Sequence, residues 1–172
     1  MSKKEDILTT ALELFAREGF SSVSTKKIAA KARVSEGLIF RHYTNKQGLL
    51  SAIMEQAKQK TIDLFAPIIL QADPAKAIKM AIELPYNIPP EQYPFWKLTF
   101  KLKWEASTNI DDKMAPLLNK LSWAFSQLKY PNAKKEAEVL LHIIEGISTA
   151  VLRDNRQDQK PLKQFLFQKY KL

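Results

Sequence analysis

The residues with most to offer chemically lie between positions 24 and 46. The stretch runs Ser24-Thr25-Lys26-Lys27-Ile28-Ala29-Ala30-Lys31-Ala32-Arg33-Val34-Ser35-Glu36-Gly37-Leu38-Ile39-Phe40-Arg41-His42-Tyr43, with Asn45-Lys46 just beyond. It reads as two short helices, each preceded by a hydroxyl residue that can accept from the amides of the first turn, separated by a tight turn. Ala29 is small where the two helices would cross, and Val34 can plug the turn. A helix that enters a major groove must be narrow at its N-terminus and carry polar groups outward. Ser35, Glu36, Gly37, Leu38, Arg41 and His42 meet that description. Thr25, Lys26, Lys46 and the amides at the helix starts can hold phosphates. The chemistry on offer is noncovalent recognition of duplex DNA, read as a helix-turn-helix.

The elements that must position these residues follow from apolar spacing. Ile7, Ala11, Leu14 and Phe15 form one stripe on a first helix from about Lys4 to Glu18, with Gly19 as its stop. Ile28, Ala29 and Ala32 share a face of the second, and Ile39 and Tyr43 are the inward pair of the third. Asn45 can cap a long fourth helix to about Pro67, and Asp73-Pro74 reads as a cap followed by proline at the first helical position. Residues 85–94 are proline-rich and expected to be irregular at least in part. Further helices are expected over about 91–107, 111–129, 132–154 and from Pro161. Only four glycines occur and few segments alternate as strands do. The expected fold is all-α, about nine helices: a three-helix N-terminal domain over residues 1–45, joined by a long fourth helix to a helical bundle within 46–172.

Composition narrows the function. The chain has 172 residues, 27 Lys+Arg against 18 Asp+Glu, a net charge of +9 and no cysteine. Disulfides, cysteine-ligated metal and thiol catalysis are excluded. Apolar runs fall short of the roughly 20 residues that span a bilayer, and no secretory signal is present, so a cytoplasmic protein is expected. The positive excess favours a polyanion, either nucleic acid or an anionic membrane surface. Residues 1–60 carry 11 basic and 6 acidic side chains, and 61–172 carry 16 and 12. The excess is therefore densest beside the helix-turn-helix, which favours DNA. A helical binding module or membrane-surface protein without sequence-specific DNA binding is the alternative. Nothing resembles a nucleophile elbow, so no enzyme is expected; neither is a cofactor, nor a metal at His42.

The order Ile7-Leu8…Ala11…Leu14-Phe15…Gly19-Phe20, Ile28-Ala29…Ala32…Val34-Ser35…Gly37-Leu38-Ile39-Phe40…His42-Tyr43…Asn45-Lys46…Leu49-Leu50 resembles the DNA-binding domain of TetR/AcrR-type transcriptional regulators over about residues 4–55. The resemblance implies a homodimer on a (pseudo)palindromic operator, usually a repressor, with a variable helical domain that binds a small-molecule effector and dimerises. By position it implies phosphate and base contacts for Thr25 and Lys26, base reading by Glu36, Gly37, Leu38 and Arg41, and backbone contacts for His42 and Lys46. Three departures stand out. Arg33 occupies the turn position usually held by glycine, at a cost of roughly 1 kcal/mol if its φ is positive. Phe40 replaces the usual Tyr, and Leu38 a common Thr.

Two further sets of residues are candidates. Trp96, Phe100 and Trp104 have i, i+4, i+8 spacing. They are either core or, with Tyr93 and Trp123 and with Glu145 as polar anchor, the lining of an effector cavity. Leu140, Ile143, Ile144, Ile147 and Val151, with Phe165 on the last helix, form an apolar surface wider than one core face needs. Two copies would build a four-helix bundle there. His142 among these residues reads as a core or interface histidine. An effector would act by changing the spacing of the two reading heads, with the fourth helix as the only covalent lever between cavity and head.

Overall fold

The structure, a computed structural model, describes residues 2–105, 111–153 and 160–172. Among these it contains nine α-helices, two short 3₁₀ turns and no strand, as the all-α expectation requires. The helices are α1 (Lys3–Glu18), α2 (Thr25–Ala32), α3 (Glu36–Tyr43), α4 (Lys46–Leu70), α5 (Pro74–Glu83), α6 (Tyr93–Glu105), α7 (Asp111–Gln127), α8 (Ala133–Arg153) and α9 (Lys160–Tyr170). The proline-rich stretch supplies the 3₁₀ turns, Leu84–Asn87 and Pro90–Gln92. Packing divides the chain into two compact units. The first takes α1, α2, α3, α4 as far as Thr61, and α6; the second takes the rest of α4, α5, α7, α8 and α9.

Local rules account for the boundaries. Ser2 and Glu5 form a reciprocal capping box at α1, whose C-terminus stops at Gly19 with φ +88°. The Glu5 carboxyl is held below the usual carboxylate range, chiefly by the Ser2 backbone amide. Ser24 and Ser35 cap α2 and α3, their Oγ atoms accepting from the amides of Lys27 and Leu38. Between these helices Arg33 is left-handed, φ 55° and ψ 49°, and Val34 N–H donates back to the Ala29 carbonyl. The strained turn position is thus occupied by a β-carbon-bearing residue. Asp73 caps α5 as expected. The fourth helix runs three residues past Pro67, which sits on an exposed face where water can take up the carbonyl it leaves unbonded.

In the first unit, Ile7, Leu14 and Phe15 of α1, Ile28 of α2, Ile39 of α3 and Leu49 and Ile53 of α4 are buried almost completely. Helix α6 packs on α1, burying Phe95, Trp96 and Leu98, and the Lys101 ammonium donates to the Ala16 carbonyl at 2.7 Å. The boundary expected at residues 45/46 coincides with the turn between α3 and α4, whereas packing carries the first unit through most of α4 and across to α6. The chain therefore passes between the units three times, and the expectation of α4 as sole covalent link is corrected.

The second unit has its own core, from Phe65 and Ile68 of α4 through α5, the α7–α8 hairpin and α9. Leu140, Ile144 and Ile147, expected on a dimer surface, are 0%, 4% and 4% exposed inside this core. The correction has a simple cause: α8 packs against α7, α5 and the 3₁₀ turn at 84–87, and these three residues line that face. Ile143 and Val151 stay half-buried, while Val139, Leu162 and Phe165 are exposed, Phe165 by 59%.

Two positions yield tests. A β-carbon on Gly48 would lie 1.8 Å from the Tyr43 carbonyl oxygen, because the α3–α4 turn brings the backbones together. Gly48→Ala should therefore cost about 2–3 kcal/mol in urea denaturation; a loss below about 0.5 kcal/mol would show that the turn relaxes freely. In the second unit Tyr170 is buried against Phe125 and Tyr130, and its hydroxyl has no partner among the described residues. Burial, with smaller contributions from Glu136 and Tyr130, pushes it up to about 12 from 10.0. The folded chain keeps this proton where the unfolded chain releases it, so stability should fall as pH rises from 10 toward 12. Tyr170→Phe should flatten that fall in pH-dependent denaturation; an unchanged slope would contradict the assignment.

Candidate nucleic-acid interface

Helix α3 has eight residues, too few to hold itself in water. Two buried side chains one turn apart, Ile39 and Tyr43, anchor it, and the Tyr43 hydroxyl donates to the Lys4 carbonyl at 2.7 Å across 39 residues of sequence. With that face turned inward, Gly37, Phe40, Arg41 and His42 are exposed, and Glu36 and Leu38 are half-buried on its flanks. Ser35 is exposed but its Oγ is occupied as the cap.

The starts of α2 and α3 are joined directly. The Thr25 hydroxyl, on the first residue of α2, donates to Glu36 Oε1 on the first residue of α3 at 2.5 Å. Lys26 beside it is exposed, with no ion-pair partner among the described residues; the same holds for Arg33 and Arg41. The other two lysines of α2 are engaged. Lys27 pairs with Glu18, and Lys31 with Glu13 at 2.8 Å. The bonds from Lys27 and then Arg17 hold the Glu18 carboxyl below its ordinary range.

Lys46 differs from the expected backbone contact. Its ammonium donates to the Phe20 carbonyl at 3.0 Å and to the Ser21 carbonyl at 3.4 Å, and it stands 4.5 Å over the Phe20 ring. It closes the α1–α2 loop onto the start of α4. No sequence signal marks a lysine that satisfies carbonyls 25 and 26 residues away. Phe40 is the residue that sequence reasoning undervalued: 45% exposed, it adds an apolar side chain one turn after Glu36. The i, i+4 spacing from Glu36 was the available signal. His42 borders an open groove of about 640 Å³ with Lys4, Leu8, Thr44, Gly48 and Glu55. Among the described residues no cluster of His, Asp and Glu could hold a metal, and no helix is long and apolar enough to cross a membrane.

The effector-pocket candidates do not gather within either unit. Tyr93, Trp96 and Phe100 belong to the first, where Trp96 is 7% exposed, packs edge-on against Phe95 at 5.1 Å and donates to Gln92 Oε1. Trp123 belongs to the second, 37% exposed beneath the Lys120 ammonium at 3.8 Å. Glu145 is also in the second, near His142 at 4.0 Å. The side chain of Trp104 lies outside those described. None of these residues lines the groove beside His42.

A capped eight-residue helix presenting Arg, His and Glu outward, held on two supporting helices by a tight turn, defines a helix-turn-helix head. Comparison with known proteins makes the class specific. Residues 7–53 match the family of bacterial regulatory proteins of the tetR type. Over 50 residues the chain is 48% identical to the HTH-type transcriptional regulator YvkB of Bacillus subtilis, a match covering 29% of this chain and 26% of YvkB. Matches to the first three curated relatives cover 26%, 55% and 39% of those proteins, so the chain spans about half of their length or less. Similarity of fold reaches over most of the chain. A transcriptional regulator from Saccharomonospora viridis, solved with choline, has a TM-score of 0.76 at 21% identity, covering 95% of this chain and 92% of that one. AibR, solved with isovaleryl coenzyme A and operator DNA, has 0.74 at 20% identity, covering 96% of each.

The Lys46 geometry generates a test. Lys46→Met keeps an unbranched apolar side chain and removes the ammonium that stands over Phe20 and binds the two carbonyls, and should lower the stability of the DNA-free protein by about 1 kcal/mol in urea denaturation. Unchanged stability would leave Lys46 no structural role.

Proposed function

We propose that this protein is a sequence-specific DNA-binding transcriptional regulator acting in the cytoplasm, a repressor that leaves a palindromic operator when a small-molecule effector binds. The observation that carries this reading is the outward face of α3, with Arg41 exposed and unpaired among the described residues beside Lys26 at the start of α2. It lies in the segment that matches the tetR family. Lys26 and the α2 and α3 amides hold phosphates, while Gly37, Leu38 and Arg41 meet base edges. Ser35 serves mainly by fixing the first turn of α3, and His42 flanks the backbone.

A palindromic site needs a second copy of the chain. The exposed apolar residues Val139, Leu162 and Phe165 and the half-buried Ile143 and Val151, on α8 and α9, are our candidates for that contact. The effector is proposed by analogy with AibR and the Saccharomonospora regulator, each solved with a small molecule. Its differential affinity for two head spacings would set the release of DNA. Both α4 and the crossings that flank α6 can carry that change.

Selection of duplexes from a random pool tests the reading. An inverted repeat is expected, with half-sites about 10–10.5 base pairs apart centre to centre or a multiple of that. Arg41→Ala should cost about 1–3 kcal/mol and relax preference at its own position, whereas Lys26→Ala should weaken all sequences alike and reduce the salt slope by about one. Equal binding of both variants to random duplex at every salt concentration would overturn it in favour of a basic module without sequence recognition.

A further inference from the structure

We propose that Glu36 makes this head select a cytosine edge, and that Thr25 is the positioning residue that aims it; the inference rests on the DNA-binding reading above. An acidic side chain on a face meant for a polyanion is unfavourable unless a specific partner compensates it. Glu36 stands at the first position of α3, where the helix dipole favours a carboxylate. One oxygen, Oε1, accepts the Thr25 hydroxyl proton at 2.5 Å. The other has no partner among the described residues, and the side chain is only half-buried.

The bond constrains both residues. Thr25 has one hydroxyl proton, and while Glu36 holds it Thr25 cannot donate to a phosphate oxygen, which only accepts. Its role thereby changes from phosphate contact to support for the carboxylate. Glu36, in turn, is held at the junction of the α2 and α3 N-termini instead of swinging freely through its three torsions. Its second oxygen remains available to a groove ligand, one turn before exposed Phe40.

An ionised carboxylate accepts hydrogen bonds and donates none. In the major groove guanine shows the N7 and O6 acceptors, and thymine shows O4 and a methyl group, so both confront the carboxylate with nothing to donate. Adenine offers its N6 amine but sets the N7 acceptor beside it. Cytosine offers its N4 amine beside a carbon-bound hydrogen, with no acceptor to repel the second lone pair. The carboxylate therefore favours cytosine, discriminates against adenine less strongly, and rejects guanine and thymine.

The experiment is selection from a random duplex pool with the full chain and three variants, Glu36→Gln, Thr25→Val and Thr25→Ser. Binding to one fixed non-specific duplex confirms that each head is folded. The wild type should select cytosine at one position of each half-site. Glu36→Gln, whose amide matches both N6 and N7 of adenine, should move that position alone from cytosine to adenine, changing the C-to-A ratio roughly tenfold or more. Thr25→Val should blur preference at the same position, and Thr25→Ser should restore it. Unchanged preference in Glu36→Gln would overturn the inference while leaving sequence-specific binding intact. Uniform weakening of all sequences by Thr25→Val would return Thr25 to a phosphate contact and overturn its positioning role. A wild type that selects no sequence would remove the DNA-binding reading, and this inference with it.

Discussion

The orientation of α3 depends on burying one side of an eight-residue helix that cannot persist by itself. Ile39 and Tyr43 supply the buried side, and the Tyr43 hydroxyl fastens it to the backbone at Lys4, at the opposite end of the head's sequence. Everything α3 presents outward follows from that anchorage. Burying this face leaves Arg41 and Gly37 outermost and puts Glu36 within reach of Thr25. The close turn that follows is equally restrictive, since the approach of Gly48 to the Tyr43 carbonyl leaves no room for a side chain. Specificity of position is thus obtained with few residues, each fixed by a steric or hydrogen-bonding requirement.

The charge of the head is deployed unevenly. Lys27 and Lys31 are paired to glutamates of α1, Lys46 and Lys101 are bonded to carbonyls of the α1–α2 loop and of α1, and Lys26, Arg33 and Arg41 carry no ion pair among the described residues. Part of the head's basic charge therefore ties its segments together, and a comparable part carries no ion pair among the described residues. Net charge points to the class of partner; only the pairing pattern tells which cations face it.

Helix α6 alters how the aromatic stripe is understood. Its spacing is compatible both with a core and with a cavity wall, because each needs a contiguous apolar face. In the folded chain Trp96 of that stripe is buried beside Phe95 and Leu98 where α6 packs on α1, and Phe100 is half-buried. On α8 the same ambiguity resolves partly inward: Leu140, Ile144 and Ile147 fill the second unit's core, and Val139 is left outside. A broad apolar helix face does not by itself say which third of its circumference meets its own chain.

What could be read in advance was local. The caps at Ser24, Ser35, Asn45 and Asp73, the glycine stop at 19, the inward pair Ile39 and Tyr43 and the helical class all follow from short-range spacing, and the structure places them there. Arg33 is left-handed at the turn position where the family resemblance sets glycine, the case whose cost the sequence could state only conditionally. What could not be read was the pairing of residues distant in sequence. Lys46 on the Phe20 and Ser21 carbonyls, Tyr43 on Lys4, α6 on α1 and the Thr25–Glu36 bond each depend on how helices are brought side by side. Sequence by itself determined the helices, their caps and the inward faces of α1, α2 and α3, because capping and periodicity act within a few residues. The tertiary structure alone decided which polar groups are consumed internally and which remain to bind, because that depends on contacts between segments whose separation along the chain carries no spacing rule.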